Sequence, residues 1–112
     1  MVANVILYEL KKAKKTQQWL ADNLKVSYQT VNFWCTNKYQ PSLDYLDKIG
    51  ELLDLDPASL VLFGSAKGIE ECLYDLMPKK ASMMIYNLKT KGERDEKNAK
   101  RVAEYRKRNN DC

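Results

Sequence analysis

The feature that most constrains this chain is a pair of short helical stripes, each behind its own capping residue, with almost nothing between them. Thr16 offers a side-chain oxygen to the unpaired N–H groups of a helix start, and Trp19, Leu20 and Leu24 follow at a spacing that stacks them on one face. Ser27 offers a second such cap a few residues later, and Val31 with Trp34 supply the buried stripe of a helix ending near Thr36 or Asn37. Two helices so linked must cross closely, and Ala21 leaves the room. Leu20 and Leu24 turn the first helix inward, Val26 plugs the turn, and Val31 and Trp34 tether the second from behind. Its outward face, from Tyr28 onward, is left free. At this spacing both tryptophans read as core, not as stacking platforms.

The surroundings are also helical. Val2, Val5, Ile6, Leu10 and Ala13 predict a first helix from about Ala3 to Lys12. Beyond Pro41, Ser42 caps a stripe of Leu43, Leu46, Ile49, Leu52 and Leu53. Asp56 and Pro57 open a short fifth helix carrying Leu60 and Val61. Gly64 and Gly68 frame a small-residue stretch that reads as a boundary. Past it, Ile69 to Met77 predicts a helix stopped by Pro78, while Ser82 to Leu88 fits strand or helix. Residues 93 to 108 read as a solvated helix with acid–base pairs one turn apart, such as Glu93 with Lys97 and Glu104 with Arg108. The expected architecture is all-α: a compact five-helix unit over residues 1–63, a linker at 64–68, and a basic, helical extension over 69–112.

Composition narrows the function. No apolar run is long enough to span a bilayer, and Met1 to Leu10 lacks the layout of a secretory signal. The cysteines, Cys35, Cys72 and Cys112, are far apart, and with no histidine in the chain neither a disulfide framework nor a zinc site is supported. A reducing cytoplasm is the expected setting, and no cofactor is implied. Absence of histidine also removes the commonest general base. Asp44, Asp47, Glu51, Asp54 and Asp56 follow the polar face of a helix and form no oxygen cage. Net charge is +4, yet residues 1–65 balance seven lysines against seven acids. The excess lies beyond them, and residues 79–112 carry eleven Lys plus Arg against five acids. Within the neutral part Lys11, Lys12, Lys14, Lys15, Lys25 and Lys38 come early and Asp44, Asp47, Glu51, Asp54 and Asp56 late, so one face is expected to meet a polyanion.

The pattern of Leu20, Ala21, Leu24, Val26, Val31 and Trp34, with two further helices behind it, resembles the helix-turn-helix of the Cro and lambda-repressor-like family over about residues 3–62. That resemblance implies a five-helix bundle that acts as a homodimer on two half-sites of double-stranded DNA and regulates transcription, as such proteins do in phages, plasmids and bacteria. One position departs from it: where the family most often has glycine in the turn, this chain has Lys25. The resemblance implies base contacts from Tyr28, Gln29 and Asn32, with Phe33 flanking them, and phosphate contacts from Gln17, Gln18, Asn37, Lys38 and Gln40. Gln and Asn pair with adenine N6 and N7 and an aromatic presses on a thymine methyl, so an A·T-containing half-site is expected. The lysines before Thr16 are given at most a secondary phosphate role.

Two other classes stay open at this point. One is an antitoxin or adaptor built on the same scaffold, meeting a protein partner through Leu73, Met77, Met83 and Met84 of the extension. The other is a magnesium-dependent nuclease around Glu70, Glu71 and Asp75, but those acids share an ordinary helix face and lack a supporting lysine constellation. The expectation is a binding protein, not an enzyme. The extension is expected to assist DNA binding or to stabilise an oligomer.

Overall fold

A computed structural model describes residues 1–90. The helix expected over residues 93–108 lies outside them. In chain order the elements are β1 (Val2–Asn4), α1 (Ile6–Lys12), α2 (Gln17–Leu24), α3 (Tyr28–Cys35), α4 (Leu43–Leu53), a 3-10 turn (Pro57–Leu60), β2 (Val61–Phe63) and α5 (Ala66–Leu76). A further helix, α6, runs over 81–90. The fold is mostly helical, with one small two-stranded sheet.

Every start that the capping residues marked is capped in fact. The Thr16 hydroxyl accepts the Trp19 N–H at 3.0 Å, Ser27 accepts that of Thr30 at 3.1 Å, and Ser42 accepts that of Tyr45 at 3.3 Å. Asp56 accepts from Ala58 at 3.0 Å, with Pro57 in the first turn. A cap satisfies a donor that the helix itself leaves unpaired and contributes about 1 kcal/mol. Two helices end in the left-handed region: Lys25 at φ 57°, ψ 42° closes α2, and Asp54 at φ 56° closes α4. Both are non-glycine residues in a conformation that disfavours a Cβ.

The first element differs from expectation. Val2 to Asn4 is not the opening of a helix but a strand, paired antiparallel with β2 in the register Val2↔Phe63, Ala3↔Leu62, Asn4↔Val61. Val61 accordingly leaves the short helix and joins the sheet. An apolar run of a few residues fits either period, and here two such runs satisfy each other's backbone across the ladder. The turn into α1 is held locally, since Asn4 Oδ1 accepts the Ile6 N–H at 3.1 Å.

The stretch expected as a linker also differs. Ser65 accepts the Gly68 N–H at 3.1 Å, and residues 66–68 form the first turn of α5. Ile69 and Leu73 of α5, Met77, and Ala81 and Met84 of α6 share one apolar core with Ile6, Leu10, Leu20, Val31, Ile49 and Leu60. Full burial of a side chain of this size contributes roughly 1.5–3 kcal/mol, so α5 and α6 are built onto the bundle. A salt bridge of 2.7 Å joins Lys89 to Glu70, and Asn87 Nδ2 donates to the Thr36 carbonyl at 2.8 Å, tying α6 to the end of α3. Among the described residues no helix is long and apolar enough to cross a membrane.

Candidate nucleic-acid interface

Helix α3 divides its residues by depth. Val31, Trp34 and Cys35 face the core; Tyr28, 49% exposed, and Gln29 face solvent; Asn32 and Phe33 are half-buried at the margin. Burial pushes the Cys35 thiol up to about 12, because a thiolate there would lose its hydration. The amphipathic division leaves one side of the helix free to enter a groove.

Helix α2 fixes one of those marginal side chains. Asn32 Nδ2 donates to Gln17 Oε1 at 3.1 Å, across the crossing that buried Ala21 permits. Asn32 keeps its carbonyl oxygen and a second N–H for an outside partner. Gln18 is exposed, with its amide donating to Asp22 at 2.8 Å. Beside them a cleft of about 300 Å³ is lined by residues that include Lys11, Lys15, Thr16, Gln17, Gln18 and Tyr28. Lys11 and Lys15 thus join the expected contact residues around the start of α2. Lys15 stands immediately before the Thr16 cap, and Lys11 lies in the last turn of α1. Lys15 also lies over the ring of half-buried Trp19 at 5.0 Å, so that tryptophan is both packed and partly wet.

The loop after α3 corrects one expectation. Asn37 was expected to grip phosphate, but it is only 2% exposed and its amide is spent inside the protein. Its Oδ1 accepts the Asn4 N–H at 2.8 Å and its Nδ2 donates to the Asn4 carbonyl at 3.1 Å. The side chain so pairs with β1 as a neighbouring strand would. Asn4 in turn donates to the Trp34 carbonyl at 2.7 Å and to Gln40 Oε1 at 2.7 Å, and Gln40 Nε2 donates to Asn37 Oδ1 at 3.0 Å. Among the described residues no buried side-chain polar atom lacks a partner. Gln40 therefore directs both ends of its amide into this network, which staples the end of the outward-facing helix to the N-terminal strand. Lys38 remains at the surface, its ammonium 4.7 Å from the Phe33 ring centre, and Phe33 meets Tyr39 edge-on at 5.4 Å.

The extension is also more buried than expected. Of Leu73, Met77, Met83 and Met84, only Met83 is exposed; the other three are core. Among the described residues no group of three His, Cys, Asp or Glu gathers to hold a metal ion.

Comparison with known proteins comes to the same segment. A helix-turn-helix family model matches residues 6–60. A crystal structure of "a putative DNA-binding protein from Bacteroides fragilis" is similar, with a TM-score of 0.55 and 44% identity, covering 55% of this chain and 100% of that one. No curated protein matches.

Proposed function

The chain belongs to the Cro/C1-type helix-turn-helix family of DNA-binding proteins, and from that premise we propose that it is a sequence-specific regulator acting as a dimeric repressor. One observation carries the reading: α3 presents Tyr28 and Gln29 outward with half-buried Asn32 at their margin, its amide held by Gln17 of α2. With one N–H given to Gln17, the Asn32 amide still has an oxygen and one N–H to offer adenine N6 and N7. Gln29 reads a second base edge, and Phe33 flanks a thymine methyl.

Phosphates are held by Gln17, Gln18 and Lys38, with Lys11, Lys15 and the Tyr28 hydroxyl added by the cleft at the start of α2. Two copies set their α3 helices in successive major grooves about 34 Å apart, so the operator is a pseudopalindrome. Regulation proceeds by occupancy alone, without chemistry, in the cytoplasm. Residues 1–63 carry the DNA contacts. Residues 69–112 supply a basic extension that assists DNA binding or meets a protein partner. The second use is supported by the exposure of Tyr74, Met83 and Tyr86 on α5 and α6.

Selection of bound duplexes from a random DNA pool, run with the full chain at two salt concentrations, tests the reading. A recovered two-fold motif whose binding weakens steeply with salt is the expected result. Failure to enrich any duplex at either salt refutes it.

A further inference from the structure

We propose that the cleft between α1 and the turn joining α5 to α6 binds a small carboxylate with an apolar body, and that this ligand takes Lys11 away from DNA. The site stands on its own geometry, and its effect on DNA rests on the reading above.

The cleft has a volume of about 260 Å³, with an apolar wall of Tyr8, Leu76, Met77 and Pro78 and three lysines, Lys11, Lys79 and Lys80, around it. Tyr8 and Lys11 stand three residues apart on α1 and so share a face of that helix. Pro78 has no N–H with which to continue α5, and the Met77 carbonyl accepts the Lys80 and Ala81 N–H groups at 3.0 and 2.9 Å. The turn that carries Lys79 and Lys80 is thus held by the backbone, while both side chains stay exposed. Met77 is core and Leu76 half-buried, so the apolar wall is formed before any ligand arrives. Leu76 to Lys80 lie beyond residues 6–60, so the cleft is made where the extension meets the helix-turn-helix unit.

Charge and size select the ligand. Among the described residues no acid lines the cleft and none of its three lysines is in a salt bridge, whereas Lys89 of α6 is bound to Glu70. Lys12 adds a further cation, its ammonium 6.0 Å from the Tyr8 ring centre. Like charges gathered in this way repel one another until an anion joins them. A nucleic-acid backbone would meet the lysines and leave the apolar wall wet, but a carboxylate with a hydrocarbon or aryl body satisfies both. A dry cavity of roughly 150 Å³ already accepts benzene, so this cleft suits a body of about eight carbons. Lys11 also lines the neighbouring cleft with Gln17, Gln18 and Tyr28, where phosphate is held in the reading above. One ammonium therefore serves two clefts, and a carboxylate seated in the first offsets the charge that the second offers to phosphate.

Isothermal titration calorimetry on the full chain without DNA, with sodium octanoate and sodium 3-phenylpropionate as probes, tests the site. At least one probe should bind once per chain with a Kd of about 10 μM to 1 mM. Acetate and inorganic phosphate, which lack the apolar body, and 1-octanol, which lacks the charge, should bind at least about 10-fold more weakly. Lys79→Glu combined with Lys80→Glu should weaken the bound probe about 10-fold or more, while Lys67→Glu at the other end of α5 leaves it within about two-fold. Circular dichroism should show both variants folded, since all three side chains are exposed. Binding of neither probe, phosphate bound as tightly as the probe, or indifference to the reversal at Lys79 and Lys80 overturns the proposal. On duplexes recovered from the random pool, a saturating concentration of the bound probe should weaken DNA binding about 5-fold beyond an equal concentration of acetate, as loss of one phosphate contact does. No difference from acetate overturns the link through Lys11. A chain that binds a probe as described yet enriches no duplex sustains the site and refutes the DNA reading, and one that enriches a duplex but binds neither probe does the reverse.

Discussion

Asn37→Ala should be among the most damaging single changes in the protein, although the sequence alone marks Asn37 as a surface loop residue. Truncation strips the partners from the N–H and C=O of Asn4, a residue with no exposed surface, and leaves Gln40 Nε2 without its acceptor. Each buried backbone group left unsatisfied costs about 1–3 kcal/mol. Asn37 also sits at φ 60°, where alanine is disfavoured by roughly 1 kcal/mol. Water entering the vacated space returns part of this, so the net loss should be about 3–5 kcal/mol, a large fraction of the stability of a small domain. Urea unfolding followed by far-ultraviolet circular dichroism, with linear extrapolation, measures it. Asn37→Gly keeps the backbone comfortable and should recover about 1 kcal/mol of the loss. Gln40→Ala, at a half-buried position that water reaches, should cost only about 1 kcal/mol. A loss below about 1 kcal/mol for Asn37→Ala, or one equal to that of Gln40→Ala, would refute the idea that this amide acts as the missing strand beside β1.

Lys25→Gly should stabilise the chain by about 0.5–1 kcal/mol in the same assay, because it relieves the left-handed residue that closes α2; destabilisation would mean that the lysine side chain is needed there. In the folded protein Cys35 should resist alkylation at neutral pH, read by peptide mass spectrometry, whereas half-buried Cys72 should react faster. The folded pKa of Cys35 lies above its unfolded value of 9.0, so its contribution is intact below pH 9 and lost as pH rises towards about 12. Stability of the unaltered chain should thus fall more steeply above pH 9 than that of Cys35→Ala. On selected duplexes, Gln29→Ala and Asn32→Ala should each remove about 1–3 kcal/mol of discrimination, while Lys38→Ala weakens all sequences alike. An unchanged ranking of duplexes would show that other residues read the bases.

The parts legible in the sequence are those written in neighbouring residues. Thr16, Ser27, Ser42 and Asp56 mark their helix starts because a cap and its turn are a few residues apart. Leu20, Ala21, Val31 and Trp34 declare the core by their spacing. Distance along the chain hid the rest. Val2 to Asn4 becomes a strand only because Val61 to Phe63 stands opposite it. Asn37 is an internal strut only because Asn4, far earlier in the chain, accepts and donates to it. The glycines at 64 and 68 suggested a break, yet Ser65 converts that stretch into the capped start of α5. Lys11 and Lys15, which the sequence marks only for a secondary phosphate role, line one cleft with Gln17 and Tyr28.

The bond from Asn87 to the Thr36 carbonyl has a consequence for how the molecule opens. The last carbonyls of a helix are where fraying begins. Here one of them is held by α6, which is anchored through Ala81 and Met84 in the shared core. The outward-facing helix and α6 therefore belong to one cooperative opening unit. In amide exchange the C-terminal turn of α3 should be released together with α6, at the same free energy, instead of ahead of it.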